Sequence, residues 1–364
     1  MITRSAPGKL YIAGEYAVLA PGYPAVLVAV DRYATVTIGA ADPPDATTLH
    51  STLSGGISMR CEWADGRVHR PPTGRDGRGA FDYVLSAVAV VDRLIAERGL
   101  HRRHFRLAVT SSLADRDGRK FGLGSSAAVT VATVAALAAF YGLDLTRMQR
   151  YRLAMLATTD IAPNTSGGDV AASTWGGWIA YRSPDRRQLS DRVAEHGIVD
   201  CLAMPWPGLS IQPLPTPKDL RLHVGWTGHP ASTPALIAEL RRGGFAAYDD
   251  FLPSSATCVD HLITALRHQD SHRILHEIRC AREVLAKLDA ATNLGIITPR
   301  LETLCASAEA VGAAAKPSGA GGGDCGIALI ERDRRDASAE LADRWARNGI
   351  RALPLNAAAR ERRL

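Results

Sequence analysis

Lysine is nearly missing from this chain: five of the 43 basic residues are Lys (Lys9, Lys120, Lys218, Lys287 and Lys316) and the rest are Arg. A bias this lopsided leaves Lys mainly where a compact ammonium serves better than a planar guanidinium. Three of the five stand beside glycine. Lys9 follows Pro7-Gly8, Lys120 precedes Phe121-Gly122-Leu123-Gly124, and Lys316 precedes Pro317-Ser318-Gly319.

Paired cysteines are lacking too. Cys61, Cys201, Cys258, Cys280, Cys305 and Cys325 form no Cys-x-x-Cys, which argues against a zinc site or a disulfide framework and for reduced thiols. The longest apolar stretch, Ala127 to Tyr141, contains Thr130 and Thr133. It is shorter than the roughly 20 residues a membrane span requires. Residues 1–9 show no apolar segment before a cleavage site. A cytoplasmic protein without a membrane partner is expected. No G-x-x-x-x-G-K-[ST] occurs, so a Walker A loop is excluded.

What is present suits a packed protein. With 364 residues, 46% hydrophobic and 22% charged, the chain can bury a large core and is expected to divide into two domains. A net charge of +6 and a pI near 9.1 suit a polyanionic partner, and phosphorylated metabolites qualify as well as nucleic acid. The Arg102-Arg103 and Arg360–Arg363 clusters lack interleaved aromatics, so nucleic acid is not expected. His268, His272 and His276 recur at helical spacing, but flanking Arg and Asp residues mark a solvated face rather than a metal site.

Periodicity predicts strands at Ala25–Val30, Tyr33–Ile38, Phe105–Thr110, Ile179–Tyr181, Leu220–Gly225 and Gly326–Ile330. It predicts helices at Phe81–Arg98, Ser126–Tyr141, after Asp144 as cap, Pro234–Arg242, within Cys258–Leu288, Pro299–Val311 and Ala337–Asn348. The Gly- and Pro-rich stretch from Ala41 to Gly79 reads as a hairpin with long loops, and Ala357 to Leu364 as a frayed tail. Between Met204 and Lys218 lie Pro205, Pro207, Pro213, Pro215 and Pro217, the strongest linker signal in the chain. The expected domains are therefore 1–204 and 218–364.

Three glycine-rich islands carry the chemistry. In Lys120-Phe121-Gly122-Leu123-Gly124-Ser125-Ser126, glycines let backbone N–H groups converge on an anion, and the following helix adds its positive dipole end. Ser125 and Ser126 offer hydroxyls to a phosphate or to Mg²⁺. Gly122-x-Gly124-x-x-Ala127 also fits a dinucleotide fingerprint, with Asp144 as the ribose acid, but the segment before it, from Ala114 to Lys120, is polar where a buried strand is required. Between Lys316 and Gly326, five of the eight residues from Gly319 on are glycine, a composition suited to close backbone approach. The last island, Ala162-Pro163-Asn164-Thr165-Ser166-Gly167-Gly168-Asp169, places a carboxylate after two glycines, as a helix cap or as a reacting group.

With Pro7-Gly8-Lys9-Leu10-Tyr11-Ile12-Ala13-Gly14-Glu15-Tyr16, the first two islands resemble the three motifs of the GHMP kinases, in order and across nearly the whole chain. Their wording is similar to the phosphomevalonate kinases within that superfamily, as is the run Val224-Gly225-Trp226-Thr227. Mevalonate kinases usually carry a Glu about eleven positions before the catalytic Asp; here Thr158 stands there. The resemblance implies an α+β fold of two lobes: an α/β domain like the second domain of ribosomal protein S5, then a ferredoxin-like α+β domain. It implies ATP and Mg²⁺ as cofactors and phosphorylation of 5-phosphomevalonate by a monomer or homodimer. Mevalonate kinase, another small-molecule kinase of the superfamily, or a silent ATP- or sugar-binding regulator are the alternatives. By position in the motifs, Lys9 and Asp169 are catalytic. Lys120, Gly122, Leu123, Gly124, Ser125 and Ser126 hold ATP, with Ser126 also a metal ligand. Lys9, Asn164, Ser166, Arg182, Lys316, Ser318 and Ala320 are expected at the substrate.

Overall fold

The computed structural model describes residues 1–42, 46–52, 56–64, 67–69, 79, 81–115, 117–229, 233–243 and 246–360. Two long strands, β1 (Ile2–Ala13) and β2 (Pro24–Ala40), pair antiparallel, with register shifts at Pro7/Gly8 and Tyr11/Ala13. The first shift positions Lys9. A Cβ on Gly8 would lie 2.8 Å from the Leu123 carbonyl, so glycine admits that carbonyl, and the Lys9 N–H donates to it at 2.8 Å.

Around this pair the first sheet adds β3 (Thr47–Ser51), β4 (Ile57–Ala64), β5 (Arg67–His69), β6 (Phe105–Ser111), β7 (Trp178–Arg182) and β8 (Ser210–Leu214), in the order β5-β4-β3-β6-β2-β7-β8. Its helices are α1 (Asp82–Glu97), α2 (Ser125–Phe140), α3 (Arg147–Ile161), α4 (Gly168–Trp175) and α5 (Arg186–Ala203, broken at Gly197). The Ala- and Val-rich α2 is apolar on every side and buried along most of its length, as a central helix must be.

The second sheet is antiparallel throughout, in the order β10-β11-β9-β12, built from β9 (Leu220–Trp226), β10 (Ala314–Ser318), β11 (Cys325–Glu331) and β12 (Arg351–Leu353). Helices α6 (Thr233–Gly243), α7 (Ala246–His268), α8 (Ser271–Thr292), α9 (Pro299–Glu309) and α10 (Arg335–Arg347) accompany it. Two lobes of mixed α and β content result, as the resemblance implies.

Several expectations shift. Inside the Pro-rich run, β8 pairs with β7 as the edge of the first sheet, where Pro213 faces Ile179. An edge strand tolerates Pro because the missing N–H can face outward. Helix α3 is capped by Thr146, not Asp144, in a reciprocal capping box with Gln149. The tail is anchored: the Ala358 N–H donates to the Ala29 carbonyl at 2.8 Å, and Gly177 N–H donates to the Ala358 carbonyl at 3.0 Å. In the Ala41–Gly79 stretch the β3–β4 hairpin is present; residues 43–45, 53–55, 65–66 and 70–78 lie outside the described residues, as do 361–364 of the tail.

Candidate active site

Two helix N-termini converge on Lys9. Gly124 (φ 75°) starts α2 and Gly167 (φ 79°) starts α4, both left-handed; α2 has no side-chain cap, so its first N–H groups are left for an anion, whereas at α4 the Gly168 N–H is taken by Ser166 Oγ at 3.2 Å. A Cβ on Gly124 would sit 2.9 Å from Lys9 Cε and 3.4 Å from Asp169 Oδ2. Asp169 lies in the first turn of α4 rather than at its cap, and its Oδ2 is 3.5 Å from Lys9 Nζ. Lys9 is buried, with its ammonium 5.1 Å from the Tyr11 ring centroid. The glycine loop, the ammonium and the carboxylate are thus in contact. Ser125 and Ser126 are half-buried in the first turn of α2, and the Tyr83 phenol of α1 lies beside the Ser126 side chain.

The Lys316–Gly326 island stitches the lobes together. The Asp324 side chain packs so closely on Gly122 that a Cβ there would fall 2.6 Å from its Cγ, and Cys325 Sγ–H donates to the Phe121 carbonyl at 3.0 Å. Ser318 Oγ donates to the Tyr11 carbonyl at 2.9 Å, and Tyr16 Oη donates to the Ala320 carbonyl at 2.5 Å. The expectation for Lys316 changes most. It is fully buried, and its ammonium pairs with Glu15, itself 3% exposed, and donates to the Pro317 carbonyl at 2.7 Å. A cation committed to a buried carboxylate is not presented to a substrate phosphate.

The Arg182 guanidinium is also committed to partners of its own. It donates to the Gly22 carbonyl at 2.9 Å and to Asp260 of α7 at 2.7 Å, joining the lobes. Ser166 is buried, its Oγ 3.0 Å from Tyr11 Oη, while Asn164 is exposed on the α3–α4 turn. Lys120 is exposed at the entrance to the glycine loop, in a bridge with Ala114. Thr158 is buried and donates to the Ala154 carbonyl at 2.7 Å, so no carboxylate stands at that position.

Sequence reasoning passed over Tyr11, Tyr83, Glu15 and Asp324. Tyr11 had a usable signal: at i+2 from Lys9 on a strand, it shares the lysine's face. Tyr83 had none, because only the packing of α1 brings it to α2.

The sequence pattern of the GHMP kinases N terminal domain matches residues 82–177, and that of the GHMP kinases C terminal domain matches 262–351. The chain is 51% identical to the phosphomevalonate kinase of Streptomyces sp. (strain CL190), over 98% of this chain and 97% of that one. The chain belongs to the GHMP kinases. Among solved structures it is similar to Streptococcus pneumoniae phosphomevalonate kinase in complex with phosphomevalonate and AMPPNP, at 30% identity and a TM-score of 0.85, covering 98% of this chain and 100% of that one. A mevalonate kinase of Pyrococcus abyssi (strain GE5 / Orsay) is 26% identical over 94% of this chain and 92% of that protein. The N-terminal match takes in Tyr83, the glycine loop and Asp169; the C-terminal match takes in the Lys316–Gly326 island. The candidate site thus draws on both matched segments and on β1, which lies before both. Among the described residues no helix is long and apolar enough to cross a membrane.

Proposed function

We infer that this GHMP kinase transfers the γ-phosphoryl group of ATP to 5-phosphomevalonate, giving ADP and 5-diphosphomevalonate. The observation that carries the reading is the 51% identity, over nearly the full chain, to a phosphomevalonate kinase. The site is chemically suited to it. The nucleophile is a phosphate oxygen, and with a second pKa near about 6 it is largely anionic at neutral pH, so a strong general base is not required. What the step requires is cationic charge that draws two polyanions together and offsets charge on the transferring group. Lys9 supplies it beside the glycine loop, Asp169 orients that ammonium, and exposed Lys120 adds positive charge at the loop entrance.

Gly122 to Ser126 hold the ATP phosphates through backbone N–H groups and hydroxyls, and Ser166, Asn164, Ser318 and Ala320 border the acceptor. Among the described residues no three His, Cys, Asp or Glu side chains cluster to hold a metal. Mg²⁺ here fits as an ion carried on the ATP phosphates, with Ser126 as the chain's hard-oxygen contribution. When bound, it offsets phosphate charge. A cytoplasmic enzyme, as monomer or homodimer, accords with this reading. ADP release measured in parallel with mevalonate, 5-phosphomevalonate and 5-diphosphomevalonate tests it. Turnover with 5-phosphomevalonate is expected; turnover only with unphosphorylated mevalonate would overturn the assignment.

A further inference from the structure

The polar segment before the glycine loop is a closed turn with a defined root. The Phe121 N–H donates to the Leu113 carbonyl at 3.3 Å, Ala114 forms a bridge with Lys120, and the Asp115 N–H donates to the Arg119 carbonyl at 2.8 Å. Gly122 follows directly, so the place of this root sets where the loop begins. The root is gripped from the other lobe. Cys325, Trp226 and Arg351 stand opposite one another on β11, β9 and β12, one row across the second sheet. All three touch the root. Cys325 Sγ–H donates to the Phe121 carbonyl at 3.0 Å, the Trp226 and Phe121 rings meet at 78° with centroids 5.2 Å apart, and the Arg351 guanidinium lies 5.3 Å from the Phe121 centroid. Arg351 also reaches the opposite side of the root, where its Nη1 donates to the Asp115 carboxylate oxygens at 3.3 and 3.4 Å.

We propose that Arg351 is a positioning residue for nucleotide binding: from the C-terminal lobe its guanidinium clamps Phe121 and Asp115, and so fixes the loop from Gly122 to Ser126 where its N–H groups meet the ATP phosphates. Arg351 acts through Phe121 and touches neither substrate in this role. The planar group suits the task, since it lies over the Phe121 ring and 4.8 Å from the Trp226 centroid while an edge nitrogen bonds Asp115. Both rings are buried, so these contacts are made away from water, whereas the half-exposed ion pair contributes little by itself. Two more guanidiniums line the same rings, Arg32 of β2 at 5.6 Å from Phe121 and Arg119 at 5.3 Å from Trp226. The acceptor side is built on the α3–α4 turn and β10, away from this root. The proposal rests on the reading of Gly122–Ser126 as the loop that holds the ATP phosphates.

Its test varies ATP and 5-phosphomevalonate separately in steady-state kinetics and follows hydrogen exchange of the amides from 119 to 126 in the free enzyme. Arg351→Met keeps an apolar chain over the rings and removes the plane and the charge. The KM for ATP should rise about tenfold, that for 5-phosphomevalonate should stay within about twofold, and the loop amides should exchange at least about fivefold faster. Arg351→Lys keeps the charge without the plane and should recover little of this. Asp115→Asn removes the ion pair alone and should raise the KM for ATP less than about threefold. An equal rise in both KM values, unchanged exchange at the loop, or full recovery with Arg351→Lys overturns the proposal while leaving the loop's role intact. If Gly124→Ala, which alters the loop itself, leaves the KM for ATP normal, the reading of the loop fails first and Arg351's role with it. Should Arg351→Met not fold, Arg351→Lys carries the same test: a rise of about fivefold in the KM for ATP alone supports the clamp, and a normal value rejects it.

Discussion

The Lys9 side chain is held on three sides, its ammonium by the Tyr11 ring and the Asp169 carboxylate and its methylenes by the approach of Gly124, so it reaches the glycine loop as a fixed charge rather than a mobile side chain. Lys9→Ala should therefore lower kcat by more than about a hundredfold, in the range of lost transition-state electrostatics. Steady-state kinetics checks this, and near-normal kcat would reject the role. At the same scale the thiols separate by burial. Burial pushes Cys61 and Cys258 up to about 12 and Cys305 up to about 11, whereas Cys280 is half-exposed and raised to a lesser degree. Only the thiolate reacts, and a raised pKa means less of it at any pH below that value. Iodoacetamide at pH 8 should label Cys280 first, and labelling of the other three should still be climbing about tenfold per pH unit above pH 9. Fast labelling of Cys258 or Cys305 in the native protein would contradict their burial. Individual residues were unevenly legible in the sequence. Gly122, Gly124 and Gly167 could be read because their left-handed backbone (φ 78°, 75° and 79°) restricts the residue type. Lys316 could be read as a site needing a compact ammonium, but the anion that faces it comes from a residue 301 positions away.

Among the elements, α1, α2 and the short strands β6, β9 and β11 were legible, whereas α7 was read only from Cys258 although it starts at Ala246, and the two strands read at Ala25–Val30 and Tyr33–Ile38 are one, β2. The 16-residue α1 and α2 announce themselves by their apolar content and terminal glycines. Helix α4 has eight residues and β12 three, too few for a period to emerge, and each exists because its neighbours hold it. Helix α5 was hidden by Gly197, whose φ of 78° breaks it into two segments. The start of α3 was misplaced by two residues because Asp144 and Thr146 are both good caps, and only Thr146 has a glutamine three positions on. That reciprocal box predicts a specific cost. Thr146→Ala should destabilise the protein by about 1 kcal/mol, read as a lower urea midpoint at unchanged slope, while Asp144→Ala should have little effect. The reverse ranking would place the cap at Asp144 after all.

At the scale of the molecule, the question is what keeps the C-terminal loop pressed on β1. Ser318 to Tyr11, Tyr16 to Ala320 and Glu15 to Lys316 all join the first motif to the third, and the ion pair is the most deeply buried of these bonds. The lobes therefore meet through motif residues, and a change in one is transmitted to the other. Removing one partner of a buried pair leaves an uncompensated charge and typically costs about 3–5 kcal/mol, whereas replacing both by neutral groups of similar shape can be close to neutral. Lys316→Met should accordingly lower the melting temperature sharply, and Glu15→Gln combined with Lys316→Met should recover most of that loss. Two activities then separate structure from chemistry. If the pair only joins the lobes, the double variant keeps kcat within about threefold despite lacking the ammonium, because Lys9 and Lys120 still supply the positive charge at the phosphates. If the double variant is as stable as the parent but has lost more than about a hundredfold in kcat, Lys316 acts on the substrate and the buried pairing with Glu15 opens when the site is filled.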